Sequence, residues 1–213
     1  MSVFSGLERP QSVLPIPTSA LDGSSNLVPP SGVANTALNA ALPSGQVLAA
    51  TILPSQVTTA FTLVTTTTYV MGILLPRNLA ISQVRTFSIS AGTTTGYWVG
   101  VADQGAIVRA VSANAAAGPT GSPSYFAQSV TPGNNLAYVT PYTGLYYLFV
   151  GVVTSAAGTN GATAAMTNAA VNAGPPVIAG TAALVATTTP PLVGSSLGAL
   201  TGTVGGVQYM DIV

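Results

Sequence analysis

The chain has 213 residues, of which 48% are hydrophobic and only 4% are charged, against roughly 25% charged in ordinary soluble domains. Cysteine, histidine and lysine are absent. The four basic residues are Arg9, Arg77, Arg85 and Arg109 and the four acids are Glu8, Asp22, Asp103 and Asp211, so the formal net charge is zero. This composition excludes disulfides and thiolate metal sites and offers no basic cluster for nucleic-acid phosphates or for an anionic membrane surface.

Disordered chains combine low hydrophobicity with high net charge, the opposite of what stands here. An uncharged protein with few surface ions tends to associate, so the expectation is a chain that works inside an assembly, as a homo-oligomer and against other proteins.

Residues 1–55 read as an extended arm. Prolines at 10, 15, 17, 29, 30, 43 and 54 interrupt every apolar period, and each removes a backbone donor and biases its predecessor toward extended conformations. Residues 34–42 have room for at most a short helix. The arm carries Val3, Phe4, Leu7, Val13, Leu14, Ile16, Leu21, Leu27 and Val28, anchors that a flexible Gly/Ser linker lacks, and these nine are the candidate assembly contacts. The opening MSVFSGLERPQSVLPIP has no basic stretch followed by an apolar run, so no secretory signal is expected.

From residue 56 to 213 the sequence reads as β. VTTAFTLV (57–64) and TYVMGILL (68–75) are rich in β-branched and aromatic residues. RTFSISAG (85–92) alternates apolar with polar. TGYWVGVADQGAIVRAVS (95–112) predicts a hairpin that turns at Asp103-Gln104-Gly105. A Gly/Pro/Ser loop, NAAAGPTGSP (114–123), precedes SYFAQSV, a turn at 131–135, and LAYVT. In TPYTGLYYLFVGVVT (140–154), Tyr146, Leu148, Val150 and Val152 form one face and Leu145, Tyr147, Phe149 and Val153 the other. A strand with one wet face alternates apolar with polar, so a strand apolar on both needs cover on both. Tyr146, Leu148, Val150 and Val152 are therefore read as sandwich core or assembly interface. Leu145–Val153, the longest apolar run, falls far short of the ~20 residues of a membrane-spanning helix.

ATAAMTNAAVNAG (162–174) is the one predicted helix of this half, closed by Gly174. VIAGTAALVATTTPPLVGSSLG (177–198) predicts a strand and a long loop, and VQYMDIV (207–213) a terminal strand. Many short strands with regular turns give an all-β fold: a jelly-roll-like antiparallel β-sandwich with an extended Pro-rich N-terminal arm.

No reactive constellation emerges. A nucleophilic triad lacks its histidine, and Ser-Lys variants lack their lysine. Asp103 and Asp211 are the only carboxylates in the β region, a poor cage for a metal, and Asp103 reads as a turn-former that bonds nearby N–H groups. GTVGG (202–206) lacks the context of a phosphate loop. No catalytic residue, cofactor or metal is expected. Arg77, Arg85 and Arg109 read as loop caps or inter-chain hydrogen-bond donors. Tyr97 and Trp98 are the candidate ligand contacts, weighed against a core pair at adjacent strand positions facing opposite ways.

The run TYVMGILLPRNLAISQVRTFSISAG, the hairpin GYWVGVADQGAIVRAVSA, the strand TPYTGLYYLFVGVV and the segments AGPPVIAGT and TPPLVG resemble a β-sandwich domain of minor tail and fibre-type structural proteins of bacteriophages that infect actinobacteria. The likeness covers about residues 57–197 and leaves the arm outside. It implies a virion structural role, exterior on the particle and assembled in the host cytoplasm, with other virion proteins as partners and no enzymatic residues to transfer. The alternative expectation is an adhesin that recognises host-envelope glycan through loops around Trp98 and residues 114–123.

Overall fold

The computed structural model describes residues 47–52, 56–90, 93–116, 118, 124–133, 137–154, 162–167, 178–185, 187–202 and 206–213. Most of the arm, the helix expected within 34–42 and residues 119–123 of the Gly/Pro/Ser loop lie outside them. The described strands are β1 (Ala49–Ala50), β2 (Thr59–Thr62), β3 (Thr67–Leu75), β4 (Ala80–Ile81), β5 (Gln83–Ser90), β6 (Thr94–Asp103), β7 (Val108–Val111), β8 (Ser124–Ser129), β9 (Tyr138–Val139), β10 (Gly144–Thr154), β11 (Ala162–Thr167), β12 (Ala179–Ala182), β13 (Leu200–Thr201), β14 (Gly206–Gln208) and β15 (Met210–Ile212).

They build two antiparallel sheets, as the all-β sandwich reading expects. One has six strands in the order β13-β12-β3-β10-β6-β7. The other has seven: β1-β15-β5-β11-β14 along its path, with β2 on β11 and β8 on β5. A short β4–β9 ladder stands apart.

β10 organises the six-stranded sheet. It pairs with β3 from Gly144↔Leu75 to Val152↔Thr67 and with β6 from Tyr146↔Asp103 to Val153↔Gly96. Period-two alternation then sorts its residues. Tyr146, Leu148, Val150 and Val152 point inward with Tyr69, Met71, Ile73 and Leu75 of β3 and Tyr97, Val99 and Val101 of β6, and they meet Val84, Val207, Met210 and Ile212 of the other sheet. Full burial of such side chains contributes roughly 1.5–3 kcal/mol each, so this layer carries much of the stability. These four residues are core.

The opposite face of β10 has its own cover. Tyr147 and Phe149 join Val70, Trp98, Ala102 and Val108 in a second apolar cluster that Leu197 completes, with Leu184 and Leu200 packed against it. The cover is the segment 183–199, described except for residue 186, which crosses the sheet as a strap. Ala183 and Leu184 N–H donate to the Ala199 and Leu197 carbonyls at 2.9 Å at its β12 end. At its β7 end Gly194 N–H donates to Val108 O (2.8 Å), Val108 N–H to Ser195 O (2.9 Å) and Leu197 N–H to Ala106 O (2.8 Å). What reads in sequence as a long loop is therefore the third layer that makes a two-sided apolar strand possible.

Gly151 lets the strap's floor close. A Cβ there would collide with the Trp98 indole at Nε1 and Cε2. Gly151→Ala is expected to cost about 1–3 kcal/mol as the indole is forced off its site, read as a fall in the urea midpoint at unchanged slope.

The helix predicted over 162–174 is not there. Ala162–Thr167 is β11, flanked by β2 on one edge and by β5 and β14 on the other, with Thr163 and Ala165 buried; residues 168–174 lie outside the described set. Pairing on both edges overrides alanine's helical preference, which is the strongest of any residue yet worth less than about 1 kcal/mol per position. The predicted terminal strand is two short strands, β14 and β15, that break at Tyr209 so that one pairs with β11 and the other with β5 and β1.

Candidate functional site

The predicted site residues separate once the fold is drawn. Val3, Phe4, Leu7, Val13, Leu14, Ile16, Leu21, Leu27 and Val28 lie outside the described residues. Tyr97 and Trp98 face opposite ways, as adjacent strand residues must. Tyr97 is in the inter-sheet core, its hydroxyl sharing a 2.7 Å hydrogen bond with Thr86 Oγ1 and its ring edge-on to Phe126 at 5.2 Å; burial pushes its phenol well above the ordinary value. Trp98 faces outward but the strap leaves it 1% exposed. Its Nε1 is buried and finds no acceptor among the described residues.

The carboxylates are occupied with structure. Asp103 Oδ1 accepts from the N–H groups of Gly105 (2.9 Å) and Ile107 (3.1 Å), which closes the β6–β7 turn as its turn-former reading predicts. Its Oδ2 takes both Nε (2.8 Å) and an Nη (2.5 Å) of Arg109, and these bonds hold the guanidinium's pKa above its usual value. Asp211 belongs to the other sheet, directly opposite Arg85 in the β15–β5 register. It accepts Arg85 Nε at 2.6 Å and Nη at 3.0 Å, and the Tyr209 hydroxyl at 2.8 Å. The Arg85 side chain, 3% exposed, is half of a buried ion pair. The pairing is invisible in sequence because 126 residues separate the partners.

A tyrosine group adjoins the β6–β7 turn. Tyr142 and Tyr146 stack at 4.7 Å, Tyr146 Oη donates to the Tyr142 carbonyl at 3.0 Å, and Gln104 N–H donates to Tyr142 Oη at 3.1 Å. Among the described residues no group of three or more Asp or Glu side chains is placed to hold a metal ion, and no helix is long and apolar enough to cross a membrane.

The remaining feature is the outward side of the six-stranded sheet. Leu74 (76% exposed), Ile178 (42%), Val185 (56%), Leu192 (77%) and Val193 (41%) all stand there. β3, β10, β12 and the strap contain no Asp, Glu, Lys or Arg. Two hollows open on this side. One of about 290 Å3 is walled by the strap residues Leu184, Val185, Pro190, Pro191 and Leu192 over Thr68 and Trp98. The other, about 280 Å3, has Gly72 with Ile73, Leu74, Leu145 and Ile178 around it. Sequence reasoning did not single out Leu74, Ile178, Val185, Leu192 or Val193. The available signal was that TPPLVG sets two apolar side chains just after a proline pair, where the chain is held extended.

No family model, no curated protein and no solved structure matches this chain.

Proposed function

We propose that this chain is a structural component of a bacteriophage virion: an exposed minor tail, head-fibre or capsid-decoration protein, fastened to neighbouring virion proteins by its N-terminal arm and by apolar β surfaces. The observation that carries the reading is the outward side of the six-stranded sheet, with five exposed large apolar side chains and no ion on the strands and strap that bear them. Apolar patches of this kind mark surfaces that a partner covers. The likeness of residues 57–197 to tail and fibre domains supplies the setting, and the sandwich is read as jelly-roll-like from its many short strands with regular turns.

Deletion of residues 1–46 tests it, because the cut spares β1 and, just before it, Leu48, whose N–H donates to Ile212 O at 2.9 Å. The truncated protein is expected to fold yet to enter particles roughly a hundredfold less than the full chain, the penalty of losing one of two linked attachments. Wild-type occupancy in purified particles, read by quantitative mass spectrometry, would end the anchoring idea.

A glycan-binding module of the host envelope is the second reading, favoured by the uncharged 290 Å3 hollow beside Trp98. Its size lies just under the ~300 Å3 at which small-molecule sites begin, room for a single sugar ring. Trp98 is covered, so a sugar would rest on Pro190 and Pro191 and not on the indole. A host-envelope glycan array that stays blank with the purified protein removes this reading.

A further inference from the structure

We infer that the outward side of the six-stranded sheet is a self-recognition surface, on which two copies of this chain pair about a two-fold axis. Leu192 and Val193 form a knob on the strap, and the hollow over Gly72, between Leu74, Leu145 and Ile178, receives it from the second copy.

Two observations select a second copy as the occupant. The first is that knob and hollow share one face at different places. A face-to-face pair related by a two-fold axis then engages both at once, the knob of each copy in the hollow of the other. The second is charge. A surface that meets its own image meets its own charges, and like charges in register cost several kcal/mol; β3, β10, β12 and the strap, where knob and hollow lie, carry none, and the sheet's Asp103 and Arg109 are paired with each other at the β6–β7 turn. Gly72 is what opens the hollow: it lies opposite Tyr147 in the β3–β10 register, and any side chain there would fill the space.

The inference goes beyond the virion reading and is tested without any other virion protein. The chain has no cysteine, so introduced thiols report alone. Full-length Leu192→Cys and Leu74→Cys are expected to form a disulfide-linked pair when mixed under mild oxidation, while each alone stays unlinked. The double variant is expected to run as one closed dimer on a non-reducing gel. In sedimentation, Leu192→Asp is expected to weaken the dimer by about tenfold or more, with an unchanged melting temperature at dilutions where both proteins are monomeric, because the side chain is 77% exposed. The inference is overturned if the mixed variants do not link, if Leu192→Cys links to itself, if the double variant gives a ladder, or if the unmodified protein sediments as a monomer throughout its soluble range. None of these failures touches the arm, whose deletion is scored in particles.

Discussion

Arg85→Met is expected to lower the free energy of unfolding by about 3–5 kcal/mol, the usual cost of leaving one member of a buried ion pair without its partner. The side chains of Arg85 and Asp211 are 3% and 0% exposed, and the fork of the guanidinium meets both carboxylate oxygens. With Arg85 gone, the carboxylate keeps the Tyr209 hydroxyl at 2.8 Å but loses its counter-charge in a medium that solvates it poorly. The double variant Arg85→Met/Asp211→Leu is expected to recover most of the loss, since an apolar pair of similar volume asks for no desolvation. Urea unfolding of the three proteins at fixed pH checks this. A single variant within about 1 kcal/mol of wild type would place the pair among the weak surface bridges and contradict the burial.

Trp98→Ala is expected to cost about 3–5 kcal/mol, the range for deleting a large buried aromatic. It should also release the strap, because the indole is the floor on which Leu184 and Leu197 pack. Hydrogen exchange locates the damage. The Leu184 and Leu197 amides, bonded at 2.9 and 2.8 Å to carbonyls at 197 and 106, should lose protection, while Met71 and Leu148 in the inter-sheet core keep theirs. Uniform loss across both layers would mean that the strap is not a separable cover. The comparison with Leu192→Asp is instructive: one leucine of the strap is a surface knob, while the tryptophan beneath the strap is a keystone of packing.

Where local pattern decided the outcome, the sequence could be read. Asp103-Gln104-Gly105 is a turn because Asp103 bonds the N–H groups of Gly105 and Ile107, whereas the alternation of RTFSISAG misleads: Thr86 and Ser88, of its polar set, are buried, with Thr86 bonded to the core Tyr97 hydroxyl. The two apolar faces of 145–153 are plain in the sequence, but which of them meets the other sheet is not: Tyr146, Leu148, Val150 and Val152 read equally as core or assembly interface, and they are core. The answer was not local. Leu197, some fifty residues on, covers the second face from a segment whose Thr, Pro, Gly and Ser read as an ordinary loop. β11 was missed for the same reason: ATAAMT has little strand preference of its own and is held by neighbours on both edges. The candidate surface was the least legible part. Leu74 and Leu148 are alike in a string of letters, yet Leu148 packs in the inter-sheet core while Leu74 stands on the outward side where the strap leaves it bare.

β15 lies between β1 and β5, and Thr51 Oγ1 donates to the Gln208 carbonyl across 157 residues. Long-range pairings of this kind put folding on the millisecond-to-second scale, after loop closure has been met. A ribosome adds about 5–20 residues per second, so the strands emerging early wait on the order of 10–30 s for the segment that locks them. During that wait β3 and β10, apolar on both sides, stand unsheathed. The yield of folded protein is therefore expected to depend on how far aggregation is held off during that interval as well as on the firmness of the finished sandwich.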